Sequence, residues 1–557
     1  QLNMTDILLI QPPFSMPDKP YISVPVLSAY LKSKGVSVAG LDLNIEFFRE
    51  FLSPEYLHVC LEKADIRLKE LESSGADNAQ YKIDALKKLL TSVSDNKELL
   101  FNLFGSPRPS NSHAFQLFKC GLSLACFPYY PEYLDFTITT GYIRYYSQFK
   151  KFSSSHILKS IQRETIYSGL MEPIINKSIN KKKPFCVGIS LTFPDQVLPA
   201  FKCAQIIKSK FPDIFVVIGG AFVSTHMREI GTAEIFQYID ALVLDEGEAP
   251  LNHLVSELKK SEPDLGSVPN LCYLDRGRPV HTGQHQPVIV NDLPAPDYGL
   301  FSLDRYIVNH ETMALLFRIS RGCYWKRCSF CRTEISFIKG HSSPDAELIF
   351  QHLKTVIEET GVSIIHFSDD AAIPEIMEHI ATQIIKDKIS IKWVANFRFD
   401  NRLTTDRLRL YKESGCHSIY LGLESLNPRI LKLMNKGITE DLVTKNIKVI
   451  KESGIPIVAY MIVGFPTETE DEARESFNKM YEMRKNNLIK KCVYNVFEVA
   501  SSSPIATNPE KYGIRSIPYD HECDLLPPSS RFEADGMSRE KATALCNEFI
   551  YKLDQLK

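Results

Sequence analysis

The sequence predicts an α/β protein with two parallel sheets in series, an open one interrupted by a mostly helical insertion and then a partial barrel of six strand and helix units. Three observations predict it. Short apolar runs that empty into glycine, hydroxyl or acidic residues recur through residues 4–50 and 184–285, as strands with loops at their carboxyl ends do. Residues 51–183 replace that rhythm with charged helical periodicity and an aromatic-rich stretch. From 313 to about 510, strand-like and helix-length segments alternate six times, short of the eight units and ~250 residues of a complete (β/α) barrel.

Taken in order, Met4 is read as the natural start, so Gln1-Leu2-Asn3 is left out of the fold argument. Asp6 to Ile10 is a strand, followed by Gln11-Pro12-Pro13, a helix from Val24 to Lys34 that stops at Gly35, and a strand from Val36 to Leu43. The alternation resumes with strand Cys186 to Leu191, helix Gln196 to Lys210, strand Ile214 to Ile218 with Gly219-Gly220, and strand Ala241 to Leu244 with Asp245-Glu246-Gly247-Glu248. Ligands of open α/β sheets sit at such carboxyl ends. His226 is expected on the surface.

In the insertion, Glu62 to Lys97 is an amphipathic helix carrying Ile83, Leu86, Leu89 and Leu90. Phe115 to Phe152 is crowded with Phe127, Tyr129, Tyr130, Tyr133, Phe136, Tyr142, Tyr145 and Tyr146, read as core packing, with a substrate entrance as the alternative. Asn270 to Arg278 is one arm of a hairpin, and the proline-bearing residues 286–312 (Pro287, Pro294, Pro296) form an extended linker. Barrel strands are expected at Leu315 to Ser320, Val362 to Phe367, Ile391 to Phe397, His417 to Leu421, Ile457 to Val463 and Val493 to Val499. Residues 511–557, with a turn at Pro527-Pro528 and a final helix from Arg539 to Leu556, close the barrel's open side or cover substrate.

Composition sets limits. With 65 basic and 67 acidic side chains, charge gives no case for nucleic acid or an anionic membrane. No apolar run reaches the ~18 residues of a membrane span, and a cytoplasmic protein is expected. The 13 cysteines, an odd number, suggest no disulfide framework. Cys416 is assigned to packing, Cys120 and Cys126 to no metal, and Cys492, Cys523 and Cys546 to no auxiliary cluster.

Three cysteines stand apart. Cys323, Cys328 and Cys331 fall within nine residues, directly after the first barrel strand. A structural zinc site wants four closed ligands, whereas a [4Fe-4S] cluster held by three thiolates keeps one iron open. No second C-x2-C follows to complete a zinc ribbon.

This stretch, with Phe330 before the last cysteine, resembles the radical SAM superfamily, although its first gap is one residue longer than the usual C-x3-C-x2-C. The resemblance implies a [4Fe-4S] cluster on the three thiolates, S-adenosylmethionine on the open iron, and its cleavage to a 5'-deoxyadenosyl radical. It also implies that Phe330, Ser368, Asp369, Arg398, Glu424, Ser425 and Gly464, all at or after strand ends, bind S-adenosylmethionine. The usual G-G-E is absent. Ser368-Asp369-Asp370 is alternatively an acidic helix start, Arg398 a partner of Asp400, and Glu424 a structural cap. Asn427-Pro428 begins a helix that Gly437 stops.

The first half resembles the cobalamin-binding domain that precedes many radical SAM enzymes, which implies that Ser190, Thr192, Gly219, Gly220 and Glu246 line a corrin. With no D-x-H-x-x-G present, a lower axial histidine on cobalt is not expected. The alternative is a Rossmann-like domain that binds nothing. The resemblance implies a cobalamin-dependent radical SAM enzyme that methylates an unactivated carbon of a small molecule or peptide, supplied with electrons by flavodoxin or ferredoxin. Rivals are a non-methylating radical SAM enzyme (epimerase, cyclase or rearranging enzyme) and a non-catalytic iron-sulfur or zinc scaffold. No catalytic side chain is singled out.

Overall fold

The computed structural model describes residues 5–556 except 75–78, 106–109, 127–134, 140–141, 164, 284–287, 333–340, 519 and 526–530. Met4, Phe127, Tyr129, Tyr130, Tyr133, Pro287 and Pro527-Pro528 lie outside the described residues. The chain divides into two units. One comprises Gln1–Gln286, Pro296–Met313 and Glu359–Val362, and the other Pro287–Ala295, Ala314–Glu358 and Ser363–Lys557.

The first unit is built on a seven-stranded sheet. β1 (Ile7–Gln11) and β2 (Val38–Asp42) enclose the helix Ser23–Ser33, and Gly35, at φ +80°, turns the chain between them. A hairpin of β3 (Asp135–Thr139) and β4 (Tyr142–Tyr146) stands apart from this sheet. β5 (Cys186–Ser190), β6 (Phe215–Gly219), β7 (Ala241–Val243), β8 (Leu271–Asp275) and β9 (Arg278–His281) complete the order β2-β1-β5-β6-β7-β8-β9. The strands from β2 to β7 run parallel, and β8 and β9 fold back antiparallel. Every residue of β1, β5 and β7 is buried, as expected of parallel strands covered on both faces. The predicted hairpin arm is β8, and its two-residue turn, Arg276-Gly277, has positive φ at both positions, which matches the strand twist. One core joins Ile7 and Leu9 to Val24 and Leu31 on the helix and to Val217, Val243 and Leu254.

The insertion contains the helices Pro54–Ser74, Ala79–Asp95, Asn111–Cys126, Ser154–Ile161 and Ile166–Lys182. The β3–β4 hairpin was not expected there. Its Tyr145 is buried with its ring against Phe14 and Tyr167, so that aromatic is core. His226 is a correction to the expected surface position. It is buried, with its ring 4.7 Å from Phe222 and 5.1 Å from Phe152. Much of the expected linker packs into the first unit: Ser28 donates to Asp297, Tyr306 donates to Asp42, and Ile307 N–H donates to the Pro17 carbonyl.

In the second unit β10 (Ala314–Phe317), β11 (Ile364–Phe367), β12 (Lys392–Phe397), β13 (Cys416–Glu424), β14 (Ile457–Val463) and β15 (Lys491–Val496) pair in sequence order, all parallel. With helices between the strands, this is a partial (β/α)6 barrel. β10 ends three residues before the predicted Ser320 because Ile319 and Ser320 turn their N–H groups to the Asp369 carboxylate. The final helix is Arg539–Asp554, whose Phe549 stacks on Phe477 at 4.1 Å.

Candidate active site

The cysteine loop leaves the carboxyl end of β10 and is tied at both ends. At its start, Asp369 accepts from Ile319 N, Ser320 N and Ser320 Oγ at 3.0, 2.8 and 2.7 Å. Burial raises the Asp369 carboxyl, and these donors oppose that. The acidic helix start is corrected, since the next helix begins at Pro374 with Ile373 before it. Ser368 Oγ donates back to the Phe317 carbonyl.

At its far side the loop is strapped to the segment that follows the helix Pro428–Leu433. Ser329 N donates to the Met434 carbonyl (2.9 Å) and Ser329 Oγ to the Leu433 carbonyl (2.9 Å). Asn435 Nδ2 donates to Arg327 O (2.7 Å), and Trp325 Nε1 to Asn435 O (3.0 Å). Gly437, at φ +70°, lies under the indole, and a Cβ there would sit 2.0 Å from Trp325 Cζ2. Gly437 therefore admits Trp325 rather than ending a helix, which stops earlier at Leu433. Asn427 caps that helix as expected, accepting from Arg429 and Ile430 N–H.

Two buried cations face the thiols. Arg398 lies over Trp325 (4.4 Å from the ring centre), donates to the Lys436 carbonyl, and places Nη1 3.9 Å from Cys328 Sγ. Its expected alternative partner is corrected, because Asp400 pairs with Arg402 at 2.6 Å. Lys436 Nζ is 2.7 Å from Glu424 Oε1, both buried, and lies 5.8 Å from the centre of the Phe330 ring. Gly422 makes room for that pair, since a Cβ there would meet Glu424 Oε1 at 2.6 Å and Lys436 Nζ at 2.8 Å. Lys436 and Trp325 were missed by sequence reasoning. The signal that could have found them is the pairing of an aromatic inside the cysteine loop with Asn435-Lys436-Gly437.

Burial pushes the Cys328 thiol up, opposed by Lys436 and Arg398, and pushes Cys331 up to about 12 with help from Cys328. Burial thus favours the thiol form of Cys328 and Cys331, which ligation would ionise. Among the described residues no three His, Cys, Asp or Glu side chains converge on one ion. Cys323, Cys328 and Cys331 are the residues that would hold a cluster, which takes one thiolate per iron.

Ser425 points elsewhere. Its hydroxyl bonds Ser476 Oγ (3.2 Å) and accepts from Asn427 N, and the side chain is fully buried. Gly464, at φ +81°, donates its N–H to Glu468 Oε2 at 2.7 Å, and burial raises the Glu468 carboxyl to about 7.

In the first unit the sheet places the ends of β5, β6 and β7 side by side. Ser190 Oγ lies 2.8 Å from Ser23 Oγ. Thr192 N and Phe193 N both donate to Gln196 Oε1, while Gln196 Nε2 donates to the Pro12 carbonyl. Gly220, at φ +114°, would bring a Cβ within 2.5 Å of the Leu191 carbonyl, so no other residue fits. Gly219 lies close to Val243, and Glu246 is half-buried. Sequence reasoning passed over Gln11 at the end of β1. By strand alternation it shares a face with Ser190, it is 1% exposed, and among the described residues neither of its amide atoms has a hydrogen-bond partner.

A family model described as the radical SAM superfamily matches residues 317–480. The uncharacterized methyltransferase PH0819 of Pyrococcus horikoshii is 32% identical over 315 residues, 55% of this chain and 67% of that protein. The chain belongs to the radical SAM superfamily. The anaerobic magnesium-protoporphyrin IX monomethyl ester cyclase of Rubrivivax gelatinosus is 26% identical over 321 residues, 56% of this chain and 57% of that protein. The match thus spans about two thirds of one relative and just over half of the other. The structure of the radical S-adenosylmethionine methyltransferase TsrM from Kitasatospora setae, with cobalamin and [4Fe-4S] cluster bound, superposes with a TM-score of 0.55 at 13% identity, covering 92% of this chain and 80% of that one. The likeness in fold therefore covers the Rossmann-like first unit as well as the barrel.

As a radical SAM loop, the stretch from Cys323 to Cys331 fits a cluster by its donor set, three thiols beside Arg398 and Lys436. The strap at Gly437 and the buried Glu468 carboxyl each give a prediction. Gly437→Ala displaces Trp325, so iron and sulfide content after anaerobic reconstitution should fall well below the wild type; full loading would show that the strap is dispensable. Glu468 binds its proton more tightly folded (about 7) than at its ordinary value of 4.5. Stability should therefore fall as pH rises across that window, by about 3 kcal/mol at most. Chemical unfolding at pH 5 and pH 7.5 should show a smaller loss for Glu468→Gln than for the wild type.

Proposed function

We propose that this chain is a cobalamin-dependent radical SAM methyltransferase acting on an unactivated carbon. The observation that carries the reading is the thiol loop, three cysteines held at a barrel strand end beside two buried cations. When bound, the cluster, S-adenosylmethionine and methylcobalamin supply the electron, the substrate-activating radical and the methyl group, and this chemistry belongs to the cofactors.

The chain's own residues bind and orient. Cys323, Cys328 and Cys331 would hold the cluster. Arg398 and Lys436 place positive charge beside the thiolates and offset the cost of burying them. Glu424 accepts from Lys436 and fixes its ammonium. The Phe330 ring lies 5.8 Å from that ammonium, and Gly464 holds its loop through Glu468. Ser368 and Asp369 anchor the entry to the cysteine loop.

For the corrin, Ser190, Thr192, Gly219, Gly220 and Glu246 lie at the carboxyl edge of the first sheet, and the unpartnered Gln11 amide supports a polar ligand there. An unpaired buried amide costs about 1–3 kcal/mol, which hydrogen bonds to corrin amides would recover. An external one-electron donor such as flavodoxin or ferredoxin completes the system. A second reading, cyclisation without methyl transfer, is favoured by the likeness to the Rubrivivax gelatinosus cyclase. Deuterated S-adenosylmethionine separates the two, because only methyl transfer carries the label into product.

Cys328→Ala should abolish 5'-deoxyadenosine formation while hydroxocobalamin binding, followed by visible absorbance, stays intact; retained cleavage would refute the cluster assignment. Gln11→Leu should stabilise the cofactor-free protein by about 1 kcal/mol and weaken hydroxocobalamin binding. Unchanged binding would reduce Gln11 to a packing residue.

A further inference from the structure

Arg398 is 6% exposed, and among the described residues no carboxylate pairs with it. Asp400 is held by Arg402, and Glu424 by Lys436. The guanidinium instead meets a carbonyl, a ring and a sulfur. Nη2 donates to the Lys436 carbonyl, Cζ lies 4.4 Å from the centre of the Trp325 ring, and Nη1 lies 3.9 Å from Cys328 Sγ. A carbonyl and a ring carry no net charge, so neither balances a full positive charge taken out of water. Of the three, only the sulfur can become an anion.

The two buried cations beside the thiols therefore differ. Lys436 meets Glu424 at 2.7 Å, so at the thiols much of its charge is cancelled. Arg398 keeps its own, and the Trp325 indole fixes where that charge stands. Arg327 also lies over the indole, at 5.3 Å, but it is exposed and solvent screens it. The potential of an iron-sulfur cluster is set by net charge, by hydrogen bonds to its sulfurs and by solvent exposure, and Arg398 acts on the first two. Reduction adds one negative charge, which a fixed cation stabilises more than it stabilises the oxidised form.

We propose, resting on the radical SAM reading above, that Arg398 raises the reduction potential of a [4Fe-4S] cluster held by Cys323, Cys328 and Cys331. It does so by a hydrogen bond and a fixed charge at Cys328, and Trp325 is the positioning residue that keeps it there. Arg398 is then committed to a cluster thiolate and not to the carboxylate of S-adenosylmethionine, the role that resemblance implies for it. The couple takes up one electron from an external reductant, and no proton or bond changes place.

The test is a redox titration of the reconstituted full chain with dithionite, without S-adenosylmethionine, followed by the electron paramagnetic resonance signal of the reduced cluster. In Arg398→Gln the ratio of reduced to oxidised cluster at a fixed potential should fall about tenfold, a shift of about 59 mV to more negative values. Arg398→Lys, which keeps the charge, should shift less. Trp325→Leu, which frees the guanidinium, should lower the ratio about threefold, and Arg327→Gln should leave it unchanged. Binding of S-adenosylmethionine to Arg398→Gln should stay within about twofold of the wild type. An unshifted potential with weakened S-adenosylmethionine binding would return Arg398 to the carboxylate and overturn the proposal. An equal shift in Arg327→Gln would overturn it too, by reducing the effect to net charge. If Arg398→Gln takes up too little iron to titrate, Trp325→Leu decides, and an unshifted potential there refutes the assignment. A wild type that gives no reducible cluster signal sinks the radical SAM reading as well, whereas a normal wild-type signal with unshifted variants sinks only the role of Arg398.

Discussion

The geometry of the site depends on the docking of the cysteine loop onto residues 433–437. The regular ladder ends at Phe317, so no strand pairing orders the nine residues that carry the three thiols. Order comes from backbone groups of a distant segment. Carbonyls at Leu433, Met434 and Asn435 receive donors from the loop, and Asn435 returns one to Arg327. Trp325 then covers Gly437. The loop is thus held as part of the β13 crossover, and its thiols are positioned before any ligand binds, which lowers the ordering cost of cluster assembly.

The same docking brings charge to the thiols. Arg398 is held between the Trp325 ring and the Lys436 carbonyl, and Lys436 is held by Glu424. A buried ion pair contributes little net stability by itself, because desolvation offsets attraction. Its value here is local. Two fixed cations lie beside groups that must become anionic, and Gly422 leaves the space in which Lys436 meets Glu424.

Much of this architecture was legible in the sequence. The succession of strands along the chain, the alternation after residue 313 and the thiol spacing all follow from local patterns, and the strand Ile457–Val463 falls where its apolar run does. What local pattern could not supply was partnership across long separations. Asp369 reads as a helix start until Ile319 and Ser320 are seen to bind it. Gly437 reads as a stop until Trp325 lies on it, and His226 reads as exposed until Phe152, more than seventy residues away, closes over it. The β3–β4 hairpin had a local signal in its Thr, Ile and Tyr residues, which favour strands, but the helical pattern on either side obscured it. Gln11 carried no signal at all, since an unpartnered amide is visible only once its surroundings are known.

Gln196 ties two loops of the first sheet with one side chain, accepting from Thr192 and Phe193 and donating to the Pro12 carbonyl. These segments are 184 residues apart in sequence yet share a single fastening. They consequently behave as one cassette: transplanting the loop after β5 from a homologue that lacks Gln196 would leave the Pro12 carbonyl of the Gln-Pro-Pro segment without this donor. Natural recombination and engineered chimeras alike would have to exchange both pieces together.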